Sequence, residues 1–181
     1  MTPELSGQAC FDTAIGTCAI AWGEQGIVGC QLPGVDAPAT RAHMRRRFPA
    51  LPESQPPSEV VAVITGLQAL LRGEAIDLTG VRLDMRGVPP FHQKIYTLAR
   101  QLQPGQTTTY GELARQLGEP GAARAVGQAM GQNPFAPIMP CHRVLAAGGA
   151  NGGFSAPGGV LTKLQMLAIE RAAPNGQPSL F

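Results

Sequence analysis

Charge and aromatic side chains are both scarce in this chain: of 181 residues, 14% are charged and 5% aromatic, with a single tryptophan. The charges nearly cancel, 14 Lys and Arg against 12 Asp and Glu, leaving a net charge of +2. A balance that small does not by itself call for nucleic acid, so any contact with DNA must come from local shape and a few placed side chains. No stretch approaches the ~18 consecutive apolar residues of a membrane helix. The amino terminus lacks the basic segment and long apolar run of a signal peptide. The four cysteines (Cys10, Cys18, Cys30 and Cys141) are widely spaced and form no Cys-x-x-Cys pair, which argues against a secreted disulfide scaffold. These absences lead to the expectation of a soluble, cytoplasmic protein in a reducing compartment, with no membrane partner.

What is present is apolar and loop-rich. The 44% hydrophobic content suits a globular chain with a substantial core, and 23 glycines and 17 prolines imply many turns and functional loops. Residues 9–32 read as a β-like stretch, with the runs Thr17–Trp22 and Ile27–Leu32 joined by Gly23-Glu24-Gln25-Gly26, a hairpin signal. A helix is expected from about Thr40 to Phe48, with Arg41, Arg45, Arg46 and Arg47 on a solvated face. Ser58 is placed as the N-cap of a helix running to Leu71 and closed by Gly73. Val81, Leu83 and Met85 alternate with Arg82, Asp84 and Arg86, the pattern of a half-buried strand. Gly87-Val88-Pro89-Pro90 then interrupts the chain. The expected division is therefore a domain over residues 1–88, a second over 89–173, and a flexible tail over 174–181.

The second half reads as helices and loops. Phe91, Ile95, Leu98 and Leu102 recur at helical spacing, and Thr109-Tyr110-Gly111-Glu112 is a capping box opening a short helix to about Leu117. After Gly118-Glu119-Pro120-Gly121, a helix from Ala122 to about Met130 is expected, with Arg124 and Gln128 on its polar side. Two short helices joined by a tight turn form a helix-turn-helix pattern. The small residues of the second helix suit either tight internal packing or close approach to another surface. A last helix from about Gly159 to Ala172 is expected to bury Leu161, Leu164, Leu167 and Ala168.

Between these helices lies Pro140-Cys141-His142-Arg143-Val144, preceded by a loop with two prolines and followed by a glycine-rich run. A thiol beside an imidazole and a guanidinium has the makings of an activated nucleophile, because positive neighbours favour thiolate. An isolated Cys-His pair is more often a small buried hydrophobe and its neighbour; the surrounding motifs are what change its meaning.

Taken in order, Ala123-Arg124-Ala125-Val126-Gly127, Asn133-Pro134, Pro140–Val144 and Leu167-Ala168-Ile169-Glu170 resemble the O6-alkylguanine-DNA alkyltransferases, the methylated-DNA–protein-cysteine methyltransferases. The resemblance is continuous from about Phe91 to Glu170 and looser over residues 9–88. It implies an α+β fold: a small ribonuclease H-like sheet-and-helix domain followed by a winged-helix-like helix-turn-helix domain. It also implies DNA repair by single-turnover transfer of an alkyl group from O6-methylguanine to Cys141, with O4-methylthymine as a second candidate substrate. A stacked guanine cannot reach a buried cysteine, so the lesion must be flipped out of the duplex.

The same resemblance implies roles for individual residues. His142, through a water, takes the Cys141 proton while Glu170 orients and charges His142. Tyr110 bonds guanine N3 and donates a proton as the base leaves. The Val144 carbonyl and the Cys141 backbone read the exocyclic amine, the Ser155 amide meets O6, Asn133 shapes the turn, and Arg143 holds local structure. The helix bearing Arg124 enters the minor groove, with Ala123, Ala125, Gln128 and Thr109 toward DNA and Arg124 filling the vacated stack. The implied partner is double-stranded DNA containing O6-alkylguanine, bound by a monomer that is nucleoid-associated if bacterial, with no cofactor.

Two departures bear on these implications. Ala156-Pro157 stands between Ser155 and Gly158-Gly159, where many relatives pass directly into Gly-Gly, which alters a wall of the lesion pocket. Some relatives bind zinc through amino-terminal Cys and His; Cys10 and Cys18 lie in that region, but His43 and His92 do not match, so no metal is expected. The tail Gln177-Pro178-Ser179-Leu180-Phe181 resembles the peptides that dock on the bacterial replication sliding clamp. Two other functions compete: a lesion-binding protein without transfer, against which Cys141 counts, and a Cys-His hydrolase, for which no separate downstream histidine exists.

Overall fold

The computed structural model describes residues 5–147 and 157–172. The chain divides into two compact units: residues to Arg86 together with Pro134–Ile138, and Gly87–Asn133 with the segment from Met139 onward. Helices and a small sheet make the α+β fold. Among the described residues no helix is long and apolar enough to cross a membrane.

The first unit is built on an antiparallel meander of β1 (Gly7–Thr13), β2 (Gly16–Gly23) and β3 (Gly26–Gln31). β2 is central, and Cys18–Trp22 are all nearly inaccessible because both faces of the strand are covered. On one face Ala19 and Ala21 pack on Met44 of α1 (Ala37–Arg47), joined by Phe48 and Leu51. Small strand residues let this helix sit close: a Cβ on Gly29 would come within 2.5 Å of the Phe48 ring. On the other face, Trp22 and Val60 and Val63 of α2 (Ser58–Leu71) border a cavity of about 870 Å³ that contains none of the candidate site residues. Each outer strand of the sheet is met by a single parallel bridge, Gln8 to Glu53 and Ile27 to Leu83.

Several expectations need correction in this unit. Residues 81–85 form no strand: only Leu83 bridges Ile27, through Ile27 N to Arg82 O (2.9 Å) and Asp84 N to Ile27 O (2.7 Å). Ser58 is the first helical residue of α2 rather than its cap; Pro57 holds the cap position without a side-chain bond. The β-like stretch expected over residues 9–32 includes most of β1, which begins two residues earlier at Gly7. Arg47 is not on a solvated face: it donates to the carbonyls of Cys30 (2.7 Å) and Pro134 (3.2 Å) and to Gln31 Oε1 (3.2 Å), while Arg41 and Arg45 pair with Glu53 at the surface.

The second unit contains α3 (Pro90–Ala99), β4 (Thr108–Thr109), α4 (Tyr110–Gln116), α5 (Ala123–Gly131), a single 3-10 turn at Cys141–Arg143, β5 (Val144–Leu145) and α6 (Val160–Ile169). β4 and β5 pair in parallel, so Thr108 and Thr109 lie beside Val144 and Leu145. Only the capping half of the expected box is seen: Glu112 N donates to Thr109 Oγ1 at 3.1 Å, while the Glu112 carboxylate pairs with Arg115 and accepts from Gln116 Nε2 at 3.3 Å. α4 and α5 pack as the helix-turn-helix, burying Val126, Ala129 and Met130 of α5.

α6 buries only part of the expected stripe. Leu167 is buried as expected and Leu164 half-buried, but Leu161 is 77% exposed and Ala168 exposed, while Lys163 and Met166 are buried in addition. The apolar period alone makes no place for a lysine inside the helix.

Candidate active site

Cys141 opens the 3-10 turn and is 4% exposed. The prolines and Asn133 fix its backbone: Asn133 Nδ2 donates to the carbonyl of Met139 at 2.8 Å, and the same side chain hydrogen-bonds the thiol. Burial pushes the Cys141 thiol up from its ordinary value, outweighing the opposing pull of Asn133 and the Lys163 charge. The resting residue is therefore a thiol. The positive neighbour whose charge favours thiolate is Lys163, whereas the Arg143 guanidinium is directed to Glu170 and Leu102.

Arg143 and His142 both converge on Glu170, the residue that ends α6. Arg143 donates from Nε to Oε2 (2.9 Å) and from a terminal nitrogen to Oε1 (2.7 Å), while its other terminal nitrogen donates to the carbonyl of Leu102 (2.7 Å). His142 Nε2 lies 2.7 Å from Glu170 Oε1. Burial resists ionisation of Glu170, but His142 and Arg143 prevail and hold its carboxyl down to about 2. Burial lowers the His142 value, so at neutral pH the ring is uncharged despite its carboxylate neighbour.

The tautomer follows from these two states. An ionised carboxylate can only accept, so Nε2 carries the hydrogen and donates it to Glu170, leaving the lone pair on Nδ1. That Nδ1 atom is buried and has no hydrogen-bond partner among the described residues. A carboxylate at the end of a helix meets the unfavourable pole of the helix dipole, and the bidentate Arg143 fork compensates it.

Lys163 was not singled out from sequence. It is wholly inaccessible, donates from Nζ to the Val144 carbonyl at 2.9 Å, and lies 5.9 Å from the centroid of the Tyr110 ring. Its charge is felt at Cys141. A fully buried lysine is rare, and the only trace of it in the sequence is a cation placed at a core position of α6. The Val144 carbonyl, to which the family resemblance assigns the guanine amine, thus already accepts from the Lys163 ammonium.

Tyr110 stands in the first turn of α4, half-buried. Burial raises its phenol, with Cys141 adding to the effect, so it remains a proton donor. Its ring lies against Gly127, where a Cβ would sit 3.5 Å away, so the small residue of α5 makes room for it. On α5 itself Arg124 and Gln128 are exposed and Ala123 and Ala125 half-buried, while Thr109 is engaged in the α4 cap. Ser155, Ala156 and the tail 177–181 lie outside the described residues. At the near end of that loop Pro157 accepts from Thr162 Oγ1 at 2.6 Å. Among the described residues no group of three or more His, Cys, Asp or Glu side chains is placed to hold a metal ion.

A helix-turn-helix unit with a buried thiol, imidazole and carboxylate behind it points to a DNA-modifying protein class, and comparison with known proteins agrees. Residues 90–172 match the family described as 6-O-methylguanine DNA methyltransferase, DNA binding domain. A methylated-DNA–protein-cysteine methyltransferase of Mycobacterium bovis is 39% identical over 125 residues, covering 69% of this chain and 73% of its own. That of Shigella flexneri is 45% identical over 84 residues, covering 46% and 48%. The crystal structure of Mycobacterium tuberculosis OGT in complex with DNA superposes with a TM-score of 0.73 at 32% identity, covering 93% of this chain and 96% of that one. The chain belongs to the methylated-DNA–protein-cysteine methyltransferase family.

Proposed function

We propose that this protein repairs alkylated DNA by moving the alkyl group from guanine O6 onto Cys141, once per molecule. The observation that carries the assignment of residues is the buried array Cys141, His142, Glu170 and Arg143, in which His142 Nε2 lies 2.7 Å from Glu170 and Nδ1 has no partner among the described residues. DNA is the binding partner, and α5 with Arg124 is the element we assign to it.

The chemistry runs from these side chains. The Cys141 proton passes by way of a water to Nδ1 of His142, and the imidazolium formed is stabilised by the Glu170 carboxylate 2.7 Å from Nε2. Lys163, close enough to bias the sulfur, favours the negative charge as it develops. The thiolate then attacks the alkyl carbon: the S–C bond forms as the C–O6 bond breaks, and the electron pair leaves with the guanine. Tyr110, protonated because it is buried, donates to guanine N3 as the base departs. A soft sulfur suits an sp3 carbon. The thioether product is a very poor leaving group, and among the described residues the site holds no second nucleophile placed to remove it, so the protein is consumed.

Burial of the thiol fits this scheme. A resting thiol with 4% exposure is protected from casual oxidation and alkylation, and is activated when a base lies beside His142. The base must leave the stack, at a cost of a few kcal/mol that Arg124 offsets by occupying the gap.

Titration of the protein with excess duplex containing O6-methylguanine tests this reading. The expected result is loss of one lesion per protein molecule, and no loss with Cys141→Ser. Continued turnover, or loss unaffected by that substitution, would refute it. We also propose that Gln177–Phe181 docks on a replication clamp; unchanged clamp affinity after removal of these five residues would eliminate the idea.

A further inference from the structure

α3 and α5 share one buried polar contact. Tyr96 is wholly inaccessible, and its hydroxyl donates to the carbonyl of Ala129 at 2.6 Å. Ala129 is itself buried in the last turn of α5, and the same carbonyl accepts the amide of Gln132 at 3.3 Å. One residue further on, Met130 O accepts from Asn133 N at 3.2 Å, and Asn133 in turn holds the Met139 carbonyl and the Cys141 thiol. The ring of Tyr96 is set by its neighbours, with the His92 ring 6.0 Å away.

A buried phenol needs an acceptor, and any nearby carbonyl would satisfy that need. The acceptor used here is one that ends the helix bearing Arg124. Arg124 lies five residues before Ala129, about 7.5 Å along the axis at 1.5 Å per residue. Beyond Ala129 the chain leads within four residues to Asn133 and so to the sulfur. The contact therefore sits between the residue assigned to the DNA stack and the residue assigned to receive the alkyl group.

We infer that Tyr96 is a positioning residue for repair of duplex DNA: its hydroxyl pegs the carboxyl end of α5 and so sets the separation between Arg124 and Cys141 that a flipped nucleotide must span. This rests on the roles given to Arg124 and Cys141 above. Loss of the peg removes none of the His142, Arg143 and Glu170 contacts and lets the helix settle in a range of positions, so a lesion arriving on DNA meets the sulfur less often in reactive alignment.

The test compares wild type with Tyr96→Phe, which keeps the ring and removes the donor. Single-turnover methyl transfer is followed by intact mass on two substrates, a duplex containing O6-methylguanine and the free base O6-methylguanine. The expected result is a roughly five- to tenfold slower rate on the duplex, the scale of one buried hydrogen bond, with the free-base rate unchanged. A duplex rate equal to wild type, or an equal loss on both substrates, overturns the inference; the latter would assign Tyr96 a general structural role. If Tyr96→Phe does not fold, Tyr96→Met makes the same comparison with a volume-filling side chain that has no donor. A wild-type protein that transfers nothing from either substrate would instead refute the proposed function itself.

Discussion

Glu170 gathers three hydrogen bonds from two cationic or polarised partners, and its carboxyl is held at about 2 against an ordinary 4.5. The depressed value means that the folded state gains stability from Glu170 above about pH 4.5 and loses it as the pH falls toward 2. The shift corresponds to about 3 kcal/mol. His142 acts in the same direction: its lowered value means that the unfolded chain takes up a proton below 6.5 that the folded site resists. Urea midpoints should therefore fall steadily between pH 7 and pH 3. Glu170→Gln should flatten that profile and, by leaving Arg143 buried without its counter-charge, cost about 3–5 kcal/mol at pH 7. A second residue-scale prediction concerns Lys163. Lys163→Met removes the charge that lowers the Cys141 value, so the thiol should titrate higher, and its alkylation by iodoacetamide at neutral pH should slow; an unchanged rate would deny Lys163 any electrostatic role at the sulfur.

Local rules were legible at the scale of single elements wherever the residues obey them alone. Thr109 and Glu112 announce the start of α4, and the cap forms; Thr109→Ala should lower stability by about 1 kcal/mol, read as a fall in Tm. α6 was misread because its inward face carries Lys163, a residue whose type says solvent until the Val144 carbonyl is seen to receive it. The corrected face makes a contrast that denaturation can check: Leu161→Gln should stay within about 0.5 kcal/mol of wild type, whereas Leu167→Ala should cost about 2–5 kcal/mol. Residues 81–85 failed for another reason. Alternation records which side chains are half-buried, and a segment tied to β3 by a single bridge at Leu83 meets that pattern without becoming a strand.

For the whole molecule, the ordered motifs from Ala123 to Glu170 carried the family and its activity, because transfer to a cysteine demands those residue types in that sequence. Long-range contacts were hidden. Arg47 donates to Pro134, 87 residues away, and Pro134–Ile138 groups with the first unit; nothing in the arginine-rich helix distinguishes Arg47 from its exposed neighbours. Binding to undamaged duplex should weaken linearly in log Kd against log salt, with a slope near 0.9 per phosphate neutralised. Arg124→Ala should slow methyl transfer from duplex DNA while sparing the free base, and equal slowing of both would move Arg124 out of the base-flipping role.

The most direct test of the central claim is to locate the transferred group. Protein incubated with an O6-methylguanine duplex is digested, and the fragments are sequenced by mass. The account predicts a single methyl group, borne by the sulfur of Cys141 and absent from every other cysteine. An unmodified Cys141, or a methyl group on Cys10, Cys18 or Cys30, would contradict it.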